Sequence, residues 1–308
     1  MANSTGFNST VASALGGTAG DAGLVQKAYD RLVEFQLRAQ PLLRSVADKR
    51  PSNLTNPGET VVLQKYKDLA RKTATLSETA DVASVGLDTP DKVTVTLNEY
   101  GNATITTRKL NLLSLADVDP AIANIIAFNM ADSIDELVKT TLMTGTNVRY
   151  GNAGTTSTGT IKGADVRFVV AKLRANKAVA RKGNMFWSAI HPEVSHDLRA
   201  ETGAASWRDP HVYQDTANIY AGEIGAFEGA YFIESPRIER TGTIYPTFFA
   251  GQQALAEVVA EEPHVVIGPV NDSLMRLRPM GWYGVLGHAI YRNESLYRVE
   301  SASSIYTA

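Results

Sequence analysis

Several stretches of the chain hold residue types that could do chemistry. Residues 151–163, GNAGTTSTGTIKG, are glycine-rich enough to suggest a phosphate loop. They lack the Gly-Lys-Ser/Thr ending that sets an ammonium beside the phosphates and a hydroxyl on magnesium. GEIGAFEG spaces its glycines at 222, 225 and 229. That is not the dinucleotide fingerprint, and Gly225 and Gly229 suit turns between strands. In HPEVSH, His191 and His196 stand five apart, which on a helix points them to different sides, whereas a zinc site of the protease kind needs four. Glu257, Glu261, Glu262 and His264 in AEVVAEEPH could form a carboxylate site, but a solvated turn explains them as well. No GxSxG elbow occurs. Trp187, Trp207 and Trp282 are isolated and make no ladder for bases or sugars. No catalytic residue, cofactor or metal site is expected.

Composition narrows the field further. The chain has 308 residues, 44% apolar and 20% charged, enough for one large or two smaller domains. Thirty basic residues stand against 32 acidic ones, a net charge of -2, so no global basic field favours sequence-specific nucleic-acid binding. Cysteine is absent, which excludes disulfides, thiolate nucleophiles and cysteine-based metal sites. The first 23 residues have neither a charged n-region nor an apolar h-region and read as a flexible arm. AIANIIAFNMA, interrupted by Asn124 and Asn129, is too short to span a membrane, so no membrane association is expected.

With no chemistry to position, the elements themselves become informative. Over residues 21–48, Leu24, Ala28, Leu32, Phe35, Ala39, Leu42 and Val46 make one helical stripe, which Pro41 kinks or divides. Such a helix packs on its own domain or on a neighbouring chain. PSNLTNPGE reads as a turn and VVLQKYKDL as a strand. Next, DKVTVTLNEYGNATITTRKL reads as a β-hairpin: Val93, Val95 and Leu97 alternate with Thr94 and Thr96, residues 98–102 supply turn chemistry, and Thr104 to Thr107 resume a strand. Residues 71–110 therefore project without an obvious core, and excursions of that length are usually functional. A long helix follows, capped by Asp119, entered by Pro120, striped by Ile122, Ile126, Met130, Ile134, Leu137, Val138 and Leu142, and stopped at Gly145. A second helix starts near Asp165 with Val166, Val169, Val170, Leu173 and Ala180, and its cations Arg174, Lys177, Arg181 and Lys182 suit the negative end of the helix dipole. Beyond Gly183, NMFWSAI, AFEGAYFIES, YPTFFAG and HVVIGPV read as strands, PEVSHDLRAE as a short helix and ETGAASWRDPHVYQD as a loop. The class is α+β without βαβ rhythm.

In this order, the projecting ribbon, DPAIANIIAFNMADSIDELVKTTLMTG, IGAFEGAYFIESPRI and FFAGQQALAEV resemble the major capsid protein of tailed double-stranded DNA bacteriophages, whose fold is named after coliphage HK ninety-seven. Within that family the chain is most similar to coat proteins of the coliphage N-four type. The resemblance implies an N-terminal arm over 1–58, a strand and extended loop over 59–110, a peripheral domain with a spine helix over 111–182, an axial domain over 183–285, and a C-terminal segment, 286–308, returning to the peripheral domain. It implies a structural protein, not an enzyme, that self-assembles into pentamers and hexamers of an icosahedral head enclosing DNA. The expected partners are further copies of the chain, a separate scaffold protein, a portal, where present a decoration protein, and packaged DNA touched without sequence preference. An encapsulin-like bacterial nanocompartment shell is the alternative.

In such a shell the ribbon lies across the next subunit, with Val93, Val95, Leu97, Tyr100, Ile105 and Arg108 as contact candidates. An arm burying about 800 Å² of apolar area gains roughly 20 kcal/mol gross, most of it offset by ordering. Val95→Asp with Leu97→Asp is accordingly expected to spare folding and impair assembly. Lys92 and Lys109 could in principle take part in the Lys–Asn isopeptide bond of some relatives, but nothing marks an acid partner and no crosslink is expected.

Overall fold

The computed structural model describes residues 39–50, 59–113 apart from 80 and 83, 118–201, and 223–305 apart from 271 and 275. The expected arm and its helix up to residue 38, the turn at 51–58 and most of the loop carrying Trp207 lie outside the described residues. The described end of the arm, 39–50, forms not the last turns of a helix but a 3-10 turn, Leu43–Val46, and a short strand, Ala47–Arg50.

Two sheets organise the rest. One has six strands in the order β5-β12-β9-β6-β8-β7, formed by β5 (Val148–Tyr150), β6 (Phe186–Ile190), β7 (Glu223–Phe227), β8 (Ala230–Glu234), β9 (Tyr245–Ala250) and β12 (Leu296–Ser301). β6 and β9, the NMFWSAI and YPTFFAG strands of the sequence, are buried at every position because both faces of the sheet are covered. Alternation divides their side chains. Phe186, Ile190, Tyr245 and Phe249 pack under the helices α3 (Gly163–Ala175) and α4 (Pro192–Ala200), through Val166, Val169, Val170, Leu173, Val194 and Leu198. Trp187, Ala189, Phe248 and Ala250 face the other way, onto Val138 and Leu142. The β7–β8 turn uses Glu228 and Gly229 at φ 50° and 88°, the mirror-image geometry that two-residue hairpins favour.

The second sheet has the order β1-β10-β11-β4. Its strands are β1 (Ala47–Arg50), β4 (Asn98–Thr107), β10 (Leu255–Ile267) and β11 (Leu277–Ile290). A short helix α1 (Arg108–Leu113) follows β4, and the helix α2 (Val118–Met143) joins the two sheets. Its 26 residues span about 39 Å. Ile126 packs on Met280 and Trp282 of β11, while Val138 and Leu142 reach Trp187 and Phe248 of the six-stranded sheet. The strut read from the sequence is therefore a bridge between sheets.

The expected hairpin does not form. β3 (Asp91–Thr96) pairs antiparallel with β2 (Thr60–Lys65), and the chain runs on through Leu97 into β4, which pairs with β11 from Asn98↔Leu286 to Thr107↔Leu277. Gly101 lies inside that strand, opposite Tyr283, where an added Cβ would stand 2.7 Å from the Trp282 carbonyl oxygen. Its glycine serves a close approach rather than a turn. The ribbon is thus β2–β3, and the described residues between those strands, 66–90 apart from 80 and 83, carry no helix or strand.

Sheet membership also cuts across the domain boundaries expected from sequence order. α3 packs on the six-stranded sheet, not with α2 on the four-stranded one. β10 and β11 belong to the four-stranded sheet, and β12, near the C-terminus, lies inside the six-stranded one between β5 and β9. Pairing between strands distant in sequence decides this, and the pattern within each strand does not encode it.

Candidate subunit-contact surface

Residues 66–89 are exposed at every described position. They include Leu69, Leu76, Val82, Val85 and Leu87, the last two 67% and 76% exposed. Large apolar side chains so placed lose the benefit of burial unless something covers them. As two extended legs, 25 residues reach about 40 Å from the ribbon. A second exposed apolar group sits at the far end of the four-stranded sheet and on α1: Ile105, Leu110, Leu112, Val266, Ile267 and Leu274.

The ribbon's base is held firmly. Val61, Val95 and Leu97 pack with Val258 against Val285 and Ala289 on one face of the four-stranded sheet. β3 crosses β11 at Gly287, where an added Cβ would meet the Thr96 carbonyl oxygen at 2.2 Å. The Leu97 N–H donates to the Glu59 carbonyl at 2.8 Å. Of the six contact candidates, Val95 and Leu97 are therefore sealed inside the chain, at 0% and 8% exposure. Charges there would enter the chain's own core, so the expectation that Val95→Asp with Leu97→Asp spares folding is corrected. Val93 and Tyr100 are half-buried, Tyr100 against the cluster of Ile126, Met280 and Trp282, while Ile105 and Arg108 are exposed. On β4 it is Thr106, not Ile105, that turns inward, donating its hydroxyl hydrogen to the Arg278 carbonyl at 3.2 Å.

A network of charges ties the rigid parts together where a 3-10 turn, Leu43–Val46, enters between α2 and β10. The Arg44 main-chain N–H donates to Asp135 at 3.0 Å, and its guanidinium donates to Glu257 at 2.9 and 2.7 Å. Arg237 donates to Asp135 at 3.2 Å and also pairs with Asp132. Burial raises the Asp135 carboxyl above the ordinary carboxylate range despite its bonds to Arg44 and Arg237. Burial pushes Glu257 the same way, but His288 and Arg44 outweigh it and hold Glu257 below that range. Arg181, beyond the end of α3, does not serve the dipole: it donates to the carbonyls of Ser45, Val46 and Gly251 and to the Asp48 carboxylate. Sequence reading misses Arg44, Asp135 and Arg237, and it sets Glu257 on a solvated turn, whereas Glu257 is buried in β10. Their only signal was charge at positions flanked by core residues.

The candidate chemical sites resolve into structure. Asp165, fully buried, accepts the N–H groups of Asn152, Ala153 and Lys162 at 2.7, 3.1 and 3.2 Å, so it occupies donors of the glycine-rich link that a phosphate would need. Its carboxylate also pairs with Arg149 at 3.0 Å. His191 caps α4, accepting from the Glu193 N–H at 3.2 Å, and its pKa is lowered by burial, while His196 is exposed. Glu262 is held by Lys49 at 2.7 Å, and His264 stands 3.9 Å from Glu261. Trp187 is core, and Trp282 donates its ring N–H to Asn129 at 2.9 Å. Among the described residues no group of His, Asp and Glu could hold a metal ion. No helix there is long and apolar enough to cross a membrane.

The described surface thus offers exposed apolar contacts, and comparison with known proteins points to their use. A family model described as phage capsid protein matches residues 36–296. No curated protein matches the sequence. Among solved structures, the capsid of Ralstonia phage GP4 superposes with a TM-score of 0.74 at 11% identity, covering 94% of this chain and 98% of that one. The capsid of the cyanophage P-SCSP1u gives 0.71 at 13% identity, covering 92% and 94%. The head structure of the Helicobacter pylori bacteriophage KHP40 gives 0.68 at 11% identity, covering 98% and 99%.

Proposed function

The chain belongs to the phage capsid protein family, and from that premise we propose that it is the major shell subunit, assembling into the pentamers and hexamers of an icosahedral head around double-stranded DNA. It is a structural capsid protein of the virion. The observation that carries the finer reading is the stretch 66–89, exposed at every described position, long enough to cross a neighbour and carrying apolar side chains with nothing among the described residues to cover them. Many modest contacts of that kind, repeated by symmetry, close into a durable container. In this reading the ribbon and loop, residues 59–96, are the extended loop. α2 with the four-stranded sheet is the peripheral part, and the six-stranded sheet with α3 and α4 is the axial part. Ile105 on β4 and Arg108 at the start of α1 are the surviving contact candidates, with the half-buried Val93 of β3 and Tyr100 of β4 beside them. A separate scaffold protein, a portal and sequence-independent contact with DNA complete the partners. The family match favours a phage head over a nanocompartment.

Electron microscopy of the purified recombinant chain, with and without a co-expressed scaffold, tests this. Closed icosahedral shells built of pentamers and hexamers are expected. A chain that stays monomeric under both conditions at high concentration would overturn the proposal.

A further inference from the structure

β4 is an edge strand with few of the devices that normally stop edges from pairing, the single charge of Glu99 near its start being the exception. Its ten residues, NEYGNATITT, include no proline and no lysine, and its register against β11 is unbroken. The six-stranded sheet guards its β7 edge differently, with a register shift between Glu223 and Gly225. The Arg108 N–H donates to the Arg276 carbonyl at 2.8 Å, and the ladder continues from there without a bulge. Even-numbered positions of β4 therefore bond to β11, and Glu99, Gly101, Ala103, Ile105 and Thr107 turn their main-chain groups to the open side. Among the described residues no turn or loop main-chain group bonds to Glu99, Gly101, Ala103 or Ile105 there, while at Thr107 the chain enters α1, the Leu110 N–H donating to the Thr107 hydroxyl at 3.2 Å. Beside this edge, under α2, runs a groove of about 230 Å³ lined by Asn102, Thr104, Ile122, Ile125, Ile126 and Trp282. Ile125 in that groove is 48% exposed.

We infer that the open edge of β4 receives residues 84–88 of the extended loop of a second copy as an added antiparallel strand, with Val85 and Leu87 filling the groove beneath α2. Three features select this occupant. Val85 and Leu87 are two apart in an extended segment, so both side chains leave on one side, as the groove requires. In antiparallel register, Leu87 opposite Asn102 and Val85 opposite Thr104, Ser84 and Gly86 exchange main-chain bonds with Ile105 and Ala103, the positions whose groups point outward. The same register sets Asp81 opposite Arg108, both exposed and neither in an ion pair among the described residues. A parallel strand with the same two residues in the groove would set opposite Arg108 only Asp91, which belongs to β3 and is already paired with Lys67 at 3.2 Å. Pairing β4 with another β4 would offer the groove only Asn102 and Thr104.

The inference rests on the loop-docking reading above and adds its register. Because the chain has no cysteine, Val85→Cys with Thr104→Cys creates a single candidate bridge. Directly opposite residues at such a pair lie about 4.5 Å apart between Cα atoms, within disulfide range. Assembled particles of this variant, oxidised and run on a non-reducing gel, should give a ladder of covalent oligomers. Val85→Cys with Ile105→Cys, whose second residue faces the other way, should not. Independently, Arg108→Glu should lower particle yield about tenfold, and Asp81→Arg added to it should restore yield to within about twofold. Particles without a ladder, together with no rescue by the charge swap, overturn the register while leaving the shell function intact. A fast-migrating crosslinked monomer shows the loop folded onto its own β4 and overturns both readings.

Discussion

In the six-stranded sheet, β6 and β9 bury every residue between two layers of helix. In residues 66–89 no described residue is buried, although the stretch carries leucine and valine too. The two regions differ in what completes them. The sheet's apolar faces are covered from within the chain, by α3 and α4 on one side and the C-terminal half of α2 on the other. The loop leaves its base anchored at Val95 and Gly287, and beyond the Lys67–Asp91 pair its apolar side chains gain no cover among the described residues. The first region therefore sets the stability of the subunit, and the second sets what the subunit can join.

That division can be broken in both directions. Replacing residues 66–90 by a short turn should abolish assembly while shifting the subunit's Tm by no more than about 2 °C, since surface changes remote from packing cost about 0.5 kcal/mol or less. Sedimentation and calorimetry on the same sample would show a stable monomer. Val95→Asp, one strand away, should do the opposite. It places a carboxylate at a fully buried site and should cost roughly 3–5 kcal/mol, enough to bring the subunit near unfolding in a denaturant titration.

Smaller effects test how the rigid part is tied to the ribbon. Asp135→Ala strips the acceptor shared by Arg44 and Arg237 and should lower stability by about 2–4 kcal/mol. The pH dependence has a definite sign. Because the folded Asp135 carboxyl titrates above its unfolded value, its contribution is fully present below the unfolded value and is lost as pH rises through the folded one. Glu257, held low, contributes above its unfolded value and loses that contribution as pH falls through its folded one. Urea titrations from mildly acidic to neutral pH should therefore show Asp135→Asn losing less stability than the unaltered chain as pH rises. Gly287→Ala, which must displace the Thr96 carbonyl, should cost about 1–3 kcal/mol and loosen the ribbon's base.

How far this was legible in the sequence depends on the range of the interaction. Strands β6, β8 and β9, the stripe of α2, that of α3 as far as Leu173 and the turn at Gly229 follow from local alternation and periodicity, whereas Gly225 lies inside β7 at a register shift and Ala180 beyond the end of α3. The hairpin at 91–107 failed because Asn-rich turn chemistry around Gly101 coincided with a glycine needed for close strand packing. From one strand alone, the partner of β3 cannot be told apart from the partner of β4. The exposed stretch was recognised as an excursion without a core. Its contacts were placed on Val95 and Leu97 because alternation marks a face as apolar without saying whose core it meets. The Arg44, Asp135 and Glu257 joint links positions far apart in sequence and leaves no local trace.

The central claim is that residues 66–90 are uncovered in the free subunit and gain their covering from other copies. Hydrogen exchange measured on isolated subunits and on assembled shells tests it directly. The account predicts amides of this segment that exchange at unprotected rates in the subunit and become protected by at least about a hundredfold in the shell, while β6 and β9 are protected in both. Equal protection of the segment in the two states would contradict it.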